Sequence, residues 1–240
     1  MEQIEIRKRV LARNDEVAEE LRQKFLKAGT LVTNLISSPG SGKTSLLEKT
    51  VSVMGKGYRM GALVGDIATE RDANRLRVAG LKAKQILTGG ACHLDARMVH
   101  QALDLEDFKD LDILFIENVG NLICPTSYEL GEDFKVVLLS VTEGDDKPFK
   151  YPGIFSKAQI TLITKVDLLP HVDFNLGAVR SQIISLHPGC EILLTSSKRG
   201  DGIEDWCSLL LERLSEKRRS LTTDSDGTTR LHRLSQDYRI

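Results

Sequence analysis

A glycine-rich stretch that follows an apolar run is the feature that most constrains how this chain can fold. Residues 31–36 are LVTNLI, the loop SSPGSGKT follows at 37–44, and residues 45–54 have the spacing of a helix. A buried strand, a tight loop and a helix, in this order, are the context of the phosphate-binding pattern G-x-x-x-x-G-K-[ST]. Ser37 stands in place of the first glycine, but its backbone N–H remains available to a phosphate. The chain is therefore predicted to bind a nucleotide at the end of a buried strand.

Strand-like and helical segments alternate along the rest of the chain. The predicted strands lie at 31–36, 58–64, 84–88, 112–116, 135–141, 159–163 and 191–195, and the predicted helices at 14–28, 45–54, 69–79, 95–105, 173–188 and 203–214. The middle strands are continuous apolar runs rather than period-two runs, which is typical of a parallel sheet buried on both faces. We therefore predict a three-layer α/β fold, with helices on both faces of a parallel sheet.

The hydrophobic pattern divides the chain into three expected segments. Residues 1–30 are predicted to form a helical segment that packs on the following domain, and residues 31–214 to form the nucleotide-binding domain. From residue 215 to 240 the chain is polar, with LTTDSDGTTR at its centre. Such a composition cannot bury much apolar surface, so we expect a mobile tail or a docking arm.

Charge and hydropathy limit the class of partner. The net charge is −1, which gives no electrostatic case for nucleic acid or a membrane surface as a partner. No stretch has the roughly 18 apolar residues that a membrane helix needs. The N-terminal sequence MEQIEIRKRV lacks the apolar core of a secretory signal. A cytoplasmic location is expected.

The loop residues supply the groups that bind a nucleotide phosphate. Gly40 and Gly42 allow the backbone to wrap closely around an anion with its N–H groups pointing inward. Lys43 is predicted to reach the β- and γ-phosphates, and Thr44 to ligate Mg²⁺ through its hydroxyl. The remaining predicted contacts of this loop are Ser38, Pro39, Ser41 and Ser45.

Two carboxylates at strand ends are candidates for the magnesium site. Asp66 follows the strand at 58–64, and Glu117 opens the stretch ENVG after another strand. ENVG resembles the D-x-x-G element of GTPases, and the N–H of Gly120 is predicted to meet the γ-phosphate. An acid at a strand end is otherwise commonly a helix cap. We predict that Asp66 and Glu117 join Thr44 in the Mg²⁺ site and, with Lys43, form the catalytic group.

The stretch LITKVDLLP predicts a contact with the nucleotide base. Its TKVD element resembles the N-K-x-D element of GTP-binding proteins. Asp167 can accept from both N1–H and the 2-amino group of guanine, whereas adenine offers neither donor there, so guanine is favoured. The stem of Lys165 is predicted to lie on the base plane, and Ser196 and Ser197 to supply the last base-edge contacts. Thr164 replaces the usual Asn, so less complete recognition of the N7 side of the base is expected.

The groups that accelerate hydrolysis in related enzymes have no obvious counterpart. No glutamine follows the glycine of ENVG, and no arginine is evidently placed to reach the γ-phosphate. Without such groups hydrolysis is about 10⁻³ to 10⁻⁴ per second. We therefore predict a slow GTPase that acts as a switch or timer.

The cysteines must be interpreted one at a time, because four are too few for a disulfide framework in a chain of this length. Cys92 and His93 are adjacent, and Cys124 lies just past ENVG. Thiolate and imidazole suit Zn²⁺ or Ni²⁺, although free cysteines are also commonly buried core residues. Three ligands are one short of a closed tetrahedral site, whereas a symmetric dimer would supply six. Cys207 is predicted to be a core residue and Cys190 a strand-edge residue.

Several motifs together resemble one family. SSPGSGKT, GACHLDA, LDILFIENVGNLICP, SVTEGDDKPFKYP and TKVDLLP are similar to those of the hydrogenase nickel-incorporation GTPases, the HypB family, over residues 14–214. Ser37 is normal in that family. The resemblance implies a parallel-sheet GTPase that dimerises around nucleotide. It also implies delivery of nickel to the large subunit of [NiFe]-hydrogenase, together with a small zinc-containing partner protein.

The resemblance also assigns site residues. The family's metal site corresponds to Cys92, His93 and Cys124, and its phosphate and Mg²⁺ residues correspond to 38–44 with Asp66 and Glu117. Lys147 or Lys150 is implied to approach the nucleotide across the dimer, although a solvated basic loop is an equal interpretation. The N-terminal segment has neither the cysteine motif nor the histidine-rich stretch of some members, so tight nickel storage is not expected.

Other functions remain open on sequence grounds. One is a GTPase chaperone for another metalloenzyme, such as urease or a cobalamin enzyme. The urease relative would carry a Cys-Pro-His triplet, whereas this chain has Cys-His and Cys-Pro in separate places. Another is a zinc-stabilised dimeric scaffold that binds nucleotide without hydrolysing it. The sequence leaves open whether the metal is nickel or zinc, and whether the dimer forms without GTP.

Overall fold

Helices and strands alternate along the chain as the sequence predicts. The computed structural model describes residues 2–66, 70–103, 108 and 110–236. The elements are α1 (Glu2–Ala28), β1 (Leu31–Ser37), α2 (Lys43–Met54), β2 (Met60–Asp66), α3 (Arg71–Val78), β3 (Lys82–Leu87), α4 (Ala96–Leu103), β4 (Ile113–Glu117), β5 (Phe134–Ser140), α5 (Lys147–Lys150), α6 (Pro152–Phe155), β6 (Ile160–Thr164), α7 (Leu176–Leu186), β7 (Glu191–Thr195) and α8 (Ile203–Gln236). Short 3-10 helices lie at Gly55–Gly57, Cys124–Ser127, Val141–Glu143 and Val166–His171.

The seven strands form one parallel sheet in the order β3-β2-β4-β1-β5-β6-β7. Leu35 of β1 and Val64 of β2 are both level with Glu117 of β4. The glycine-rich loop after β1 and Asp66 at the end of β2 therefore lie at the same edge as Glu117. In open parallel sheets ligands bind at this carboxyl edge, so the register alone gathers most of the predicted site.

Alternate side chains of the central strands face two helical layers. Leu35 and Phe115 pack with α2, α3 and α8 on one face of the sheet. On the other face, Val32 and Leu114 pack with α1 and α4, and Val137 packs with α6 and α7. Because both faces are covered, the central strands are largely apolar. The predicted three-layer α/β fold is confirmed.

The first helix is longer than predicted. α1 begins well before residue 14, but residues 8–13 are mostly exposed. They therefore lack the apolar period that marks a buried helix face. From Asn14 onward the helix is anchored, because Ala18, Leu21 and Phe25 pack in the cluster that includes α4.

The last helix also extends beyond the predicted end at 214, as far as Gln236. Polar contacts rather than apolar burial hold its continuation, since Lys217 Nζ donates to the carbonyl of Thr30 and to Asp133, at 2.7 Å each. Hydrophobic periodicity cannot detect such an attachment. The division into segments at residues 30 and 214 stays a prediction. Across the described part of the chain, no helix combines the length and the apolar composition that crossing a membrane requires.

Candidate nucleotide site and metal centre

The loop between β1 and α2 has a backbone shaped for the close approach of an anion. Gly40 and Gly42 have φ values of +77° and +100°, a region that residues with a Cβ rarely adopt. A Cβ atom at either position would meet no protein atom within 4 Å. The space in front of these glycines is thus open to a ligand, and the N-terminus of α2 directs its partial positive charge toward it.

Ser37 takes the place of the first glycine without backbone strain. Among described residues other than glycine, positive φ values occur at Asp110 and Lys165 only. Ser37 is fully buried, and its hydroxyl accepts from Lys43 Nζ (2.8 Å) and donates to the carbonyl of Ser38 (2.6 Å). A glycine could make neither bond. The serine therefore positions the lysine that is predicted to bind phosphate.

A cavity of about 440 Å³ lies in front of this loop. It is lined by the predicted residues Lys43, Thr44, Asp66, Glu117 and Gly120. Thr44 Oγ1 donates to Glu117 Oε1 (3.0 Å), whereas Glu117 Oε2 is buried and has no hydrogen-bond partner. A buried carboxylate oxygen without a partner is unfavourable, and a cation in the cavity would satisfy it. These oxygens suit Mg²⁺, which prefers hard oxygen ligands.

Burial dominates the electrostatics of this cavity. It raises the pKa of Glu117 to about 7, against the opposing charge of Lys43. It also lowers the pKa of Lys43, against several carboxylates of which Glu117 is the strongest. A bound phosphate and Mg²⁺ would place an opposite charge beside each group, which favours both ionised forms.

A second cavity, of about 410 Å³, borders the same loop at Ser41 and contains the predicted base-reading residues. Asp167 and Ser197 line it. Ser196 is buried and lies behind them, where its hydroxyl donates to Asp167 Oδ1 (2.6 Å). This bond orients the carboxylate that is predicted to face guanine.

Two further residues of the TKVD element hold it against the phosphate loop. Thr164 Oγ1 donates to the carbonyl of Ser41 (2.7 Å), and Lys165 Nζ donates to the carbonyl of Gly40 (2.8 Å). Lys165 adopts a left-handed φ of +58°, and its stem borders the second cavity. Thr164 thus braces the loop, a role that its place in the motif did not reveal. The two cavities meet at one loop, as a single nucleotide requires.

The two cysteine segments come together near the end of β4. The ligand atoms of Cys92, His93 and Cys124 all lie within 4.8 Å of one another, the one such cluster found among the described residues. The sulfur atoms are 2.7 Å apart, and Cys92 Sγ is 3.7 Å from His93 Nδ1. Both cysteines are half-buried free thiols. Burial lowers the pKa of His93, which favours the neutral imidazole that binds metal. Two thiols and an imidazole suit Zn²⁺ or Ni²⁺.

Comparison with known proteins places this arrangement in one family. The family model described as CobW/HypB/UreG, nucleotide-binding domain, matches residues 31–193. The hydrogenase maturation factor HypB of Azotobacter vinelandii is 46% identical over 203 residues, which cover 85% of this chain and 67% of that protein. The chain belongs to the HypB family of hydrogenase maturation factors. This confirms the resemblance seen in the motifs. Members of the family are P-loop GTPases, so this chain is a nucleotide-binding protein of the P-loop GTPase class.

Further HypB relatives agree in sequence and structure. The hydrogenase/urease maturation factor HypB of Helicobacter pylori strain J99 is 44% identical over 223 residues, 90% of each chain. The crystal structure of HypB from Helicobacter pylori in complex with nickel has a TM-score of 0.81 at 44% identity, covering 85% of this chain and 96% of that one. The crystal structure of HypB from Archaeoglobus fulgidus has a TM-score of 0.79 at 40% identity, covering 85% and 99%.

Sequence reasoning missed several residues of the HypB site. Arg75 lines the phosphate cavity, but its guanidinium is engaged by both carboxylate oxygens of Glu48 (3.0 and 2.7 Å). Glu143 accepts from Ser41 of the phosphate loop at 2.5 Å, and its second carboxylate oxygen is buried without a partner. Asn121 joins the two cysteine segments, as described below. None of these residues lies in a recognised nucleotide motif, so only the folded chain reveals them.

The structure does not bring Lys147 and Lys150 to the nucleotide cavities of this HypB-family chain. Both lie on α5 and neither borders either cavity. Lys147 Nζ is 5.6 Å from the centre of the Tyr151 ring, and Lys150 pairs with Asp146. Their approach to a nucleotide across a dimer stays a prediction. Cys207 packs in the core, and burial raises its pKa to about 11, while Cys190 is buried beside β7.

Replacing Asp167 by asparagine is expected to weaken GDP binding by at least about 100-fold. The new amide would present donors to the N1–H and amino donors of guanine, whereas Ser196 would still hold the side chain. Xanthosine diphosphate, which has a carbonyl in place of the 2-amino group, should bind this variant better than the wild type. Titration calorimetry of the wild type and the variant with both nucleotides measures this change in preference.

The matched control for this experiment is Asp173→Asn, because Asp173 is exposed and borders neither cavity. It should leave both affinities unchanged. An Asp167→Asn variant that lost affinity equally for the two nucleotides would contradict the base-reading role.

Proposed function

We propose that this chain is a slow GTPase and nickel metallochaperone that acts in the maturation of [NiFe]-hydrogenase. The observation that carries the proposal is the position of Cys124, which follows Gly120 by four residues and meets Cys92 and His93. A loop that borders the phosphate cavity thus continues directly into a metal cluster. The curated HypB relatives are named as hydrogenase maturation factors, and one HypB structure was determined in complex with nickel.

In this proposal, GTP with Mg²⁺ orders the loops that carry Asp66 and Glu117. Thr44 and these two carboxylates hold Mg²⁺, while Lys43 and the loop N–H groups hold the phosphates. Ordering of the loops favours a symmetric homodimer, which places two Cys-His-Cys clusters together. Hydrolysis then relaxes the loops and releases the ion. The rate is expected to be low, since Arg75 is engaged by Glu48 and no glutamine follows Gly120.

The cargo is proposed to be nickel, with zinc as the competing ion. Thiolate and imidazole donors bind both ions with similar strength, so availability and geometry decide between them. The proposed recipient is the hydrogenase large subunit, and the proposed helper is a small zinc-containing nickel-binding protein. A cytoplasmic location belongs to the same proposal.

The urease alternative is not favoured. The Cys-Pro-His triplet expected of a urease-specific chaperone is absent from this sequence. The curated HypB relatives all carry the hydrogenase role in their names, while the Helicobacter proteins carry urease as well. The other alternative, a zinc-stabilised scaffold that binds nucleotide without hydrolysing it, would keep its role in maturation when Lys43 is replaced by alanine, whereas a GTPase would lose phosphate release.

The test is a nickel titration of nucleotide-free protein and of protein with GDP or a non-hydrolysable GTP analogue, with molecular mass followed in parallel. Linkage requires that, if GTP changes the affinity for nickel, nickel changes the affinity for GTP by the same factor. We expect different nickel affinities in the two nucleotide states, and a dimer with the GTP analogue. Equal affinities in all states would contradict the coupling of nucleotide to metal.

A further inference from the structure

Asn118, the residue after Glu117, joins three segments through one buried side chain. It is 1% exposed. Its Oδ1 accepts from the backbone N–H groups of Leu94 and Val119, at 3.0 Å each, and its Nδ2 donates to Asn34 Oδ1 (3.2 Å). Each bond is formed away from water, where polar groups are costly to leave unpaired. The amide therefore has little freedom to turn.

One end of this arrangement is a fixed frame. Asn34 lies in β1, three residues before Ser37, and is fully buried. Its Nδ2 donates to Glu132 Oε1 (3.0 Å), and Glu132 forms a buried ion pair with Lys135 (2.6 Å). These groups belong to or adjoin the neighbouring strands β1 and β5 in the interior of the sheet.

The other end is the metal-binding segment. Leu94 directly follows His93, so the Asn118–Leu94 bond reaches the backbone next to the Cys92–His93 pair. Asn118 and the preceding residue, Glu117, both line the phosphate cavity. Asn118 is thus the one side chain of ENVG that bonds the nucleotide loop directly to the segment of Cys92 and His93 among the described contacts.

Two other asparagines contact the same segment in different ways. Asn121 Nδ2 donates to the carbonyl of Cys92 (3.3 Å), and its Oδ1 accepts from the N–H of Cys124 (3.4 Å). It therefore connects the two cysteine segments with each other. Asn14 of α1 accepts from the N–H of Ala96 (2.9 Å) and touches neither cavity lining nor metal ligand.

We propose that Asn118 is a positioning residue that transmits displacement of the ENVG loop to Cys92 and His93. Asn118 Oδ1 accepts from both Val119 and Leu94, so a shift of the backbone at Val119 must either carry the Leu94 N–H along or leave one of the two N–H groups unpaired in the interior. The bond thereby makes the geometry of the metal ligands depend on the state of the phosphate cavity. This inference rests on the proposed function, since it names the residue through which nucleotide and metal are coupled.

The test compares the nickel affinities of the GDP-bound and GTP-analogue-bound forms in the wild type, Asn118→Ala, Asn121→Ala and Asn14→Ala. Allosteric coupling typically changes affinity about 5- to 150-fold. With each nucleotide at saturating concentration, we expect Asn118→Ala to bring the ratio of the two nickel affinities close to one while nickel stoichiometry is retained. Asn121→Ala should weaken nickel binding about equally in both states. Asn14→Ala should keep the wild-type ratio.

Nickel–thiolate charge-transfer absorption gives a second readout. In the wild type its bands should differ between the two nucleotide states, and in Asn118→Ala they should coincide. If Asn118→Ala fails to fold, Asn118→Leu decides, because leucine keeps most of the side-chain volume but removes the Oδ1 acceptor of the Leu94 N–H. If the nickel affinities of the GDP-bound and GTP-analogue-bound forms still differ in the folded variant, the role of Asn118 is overturned but the proposed function is not. A wild-type ratio of one would refute the coupling in the proposed function and, with it, the role of Asn118.

Discussion

Replacing Lys43 by alanine is expected to reduce GTP hydrolysis by at least about 100-fold. Lys43 is buried, its Nζ is held 2.8 Å from Ser37 Oγ, and it lines the phosphate cavity. A cation fixed in such a place stabilises the charge that develops on the transferred phosphoryl group without reorganising at the moment of reaction. Alanine removes that charge and leaves Glu117 without its main opposing cation.

Phosphate release under single-turnover conditions measures this effect. The matched control is Lys24→Ala, because Lys24 is an exposed lysine on α1 outside both nucleotide cavities. Lys43→Ala also distinguishes a GTPase from a scaffold that only binds nucleotide, when it is tested in a cell that depends on this chain for hydrogenase maturation. If Lys43→Ala abolished hydrolysis but still supported maturation, turnover of GTP would not be part of the function.

Replacing Cys124 by alanine is expected to weaken nickel binding by more than about 100-fold. Loss of residues that merely orient metal ligands already costs 10- to 100-fold, and the sulfur of Cys124 lies 2.7 Å from that of Cys92, inside the cluster itself. The remaining Cys92 and His93 are too few to hold the ion tightly in one protomer. Titration with a chromophoric chelator as competitor measures the affinity.

Cys190→Ala is the control for this loss, because Cys190 is a buried free cysteine outside the cluster. Its removal should leave nickel stoichiometry unchanged. Retention of full nickel binding by Cys124→Ala would reduce Cys124 to a packing residue. The same titration with Zn²⁺ shows whether the two ions share the site, as their common ligand preferences imply.

The parallel sheet and the positions of the three nucleotide motifs were predictable because each depends on local sequence. Continuous apolar runs mark strands covered on both faces. SSPGSGKT, ENVG and TKVD each follow such a strand. Because parallel strands end at the same edge, the sequence alone predicts that residues far apart along the chain, such as Lys43, Glu117 and Asp167, lie near one another.

Other parts of the site were beyond sequence reasoning. The bond from Ser37 to Lys43, the brace from Thr164 to Ser41 and the engagement of Arg75 by Glu48 depend on side-chain directions in the folded chain. The lengths of α1 and α8 were underestimated for a related reason. Periodicity reports burial, whereas residues 8–13 of α1 are mostly exposed and Lys217 of α8 is held by an ion pair with Asp133.

The sequence by itself determined the fold class, the nucleotide loop and the candidate metal ligands, because short-range patterns specify strands, turns and donor types. Only the tertiary structure decided that Cys92 and Cys124, 32 residues apart, bring their sulfurs together. Only the tertiary structure shows that Asn118 forms hydrogen bonds both with Leu94, beside the Cys92–His93 pair, and with Asn34 of β1. Hydrogen bonds between distant segments depend on the packing of the whole sheet, so the proposed connection from phosphate to metal can form only in the folded chain.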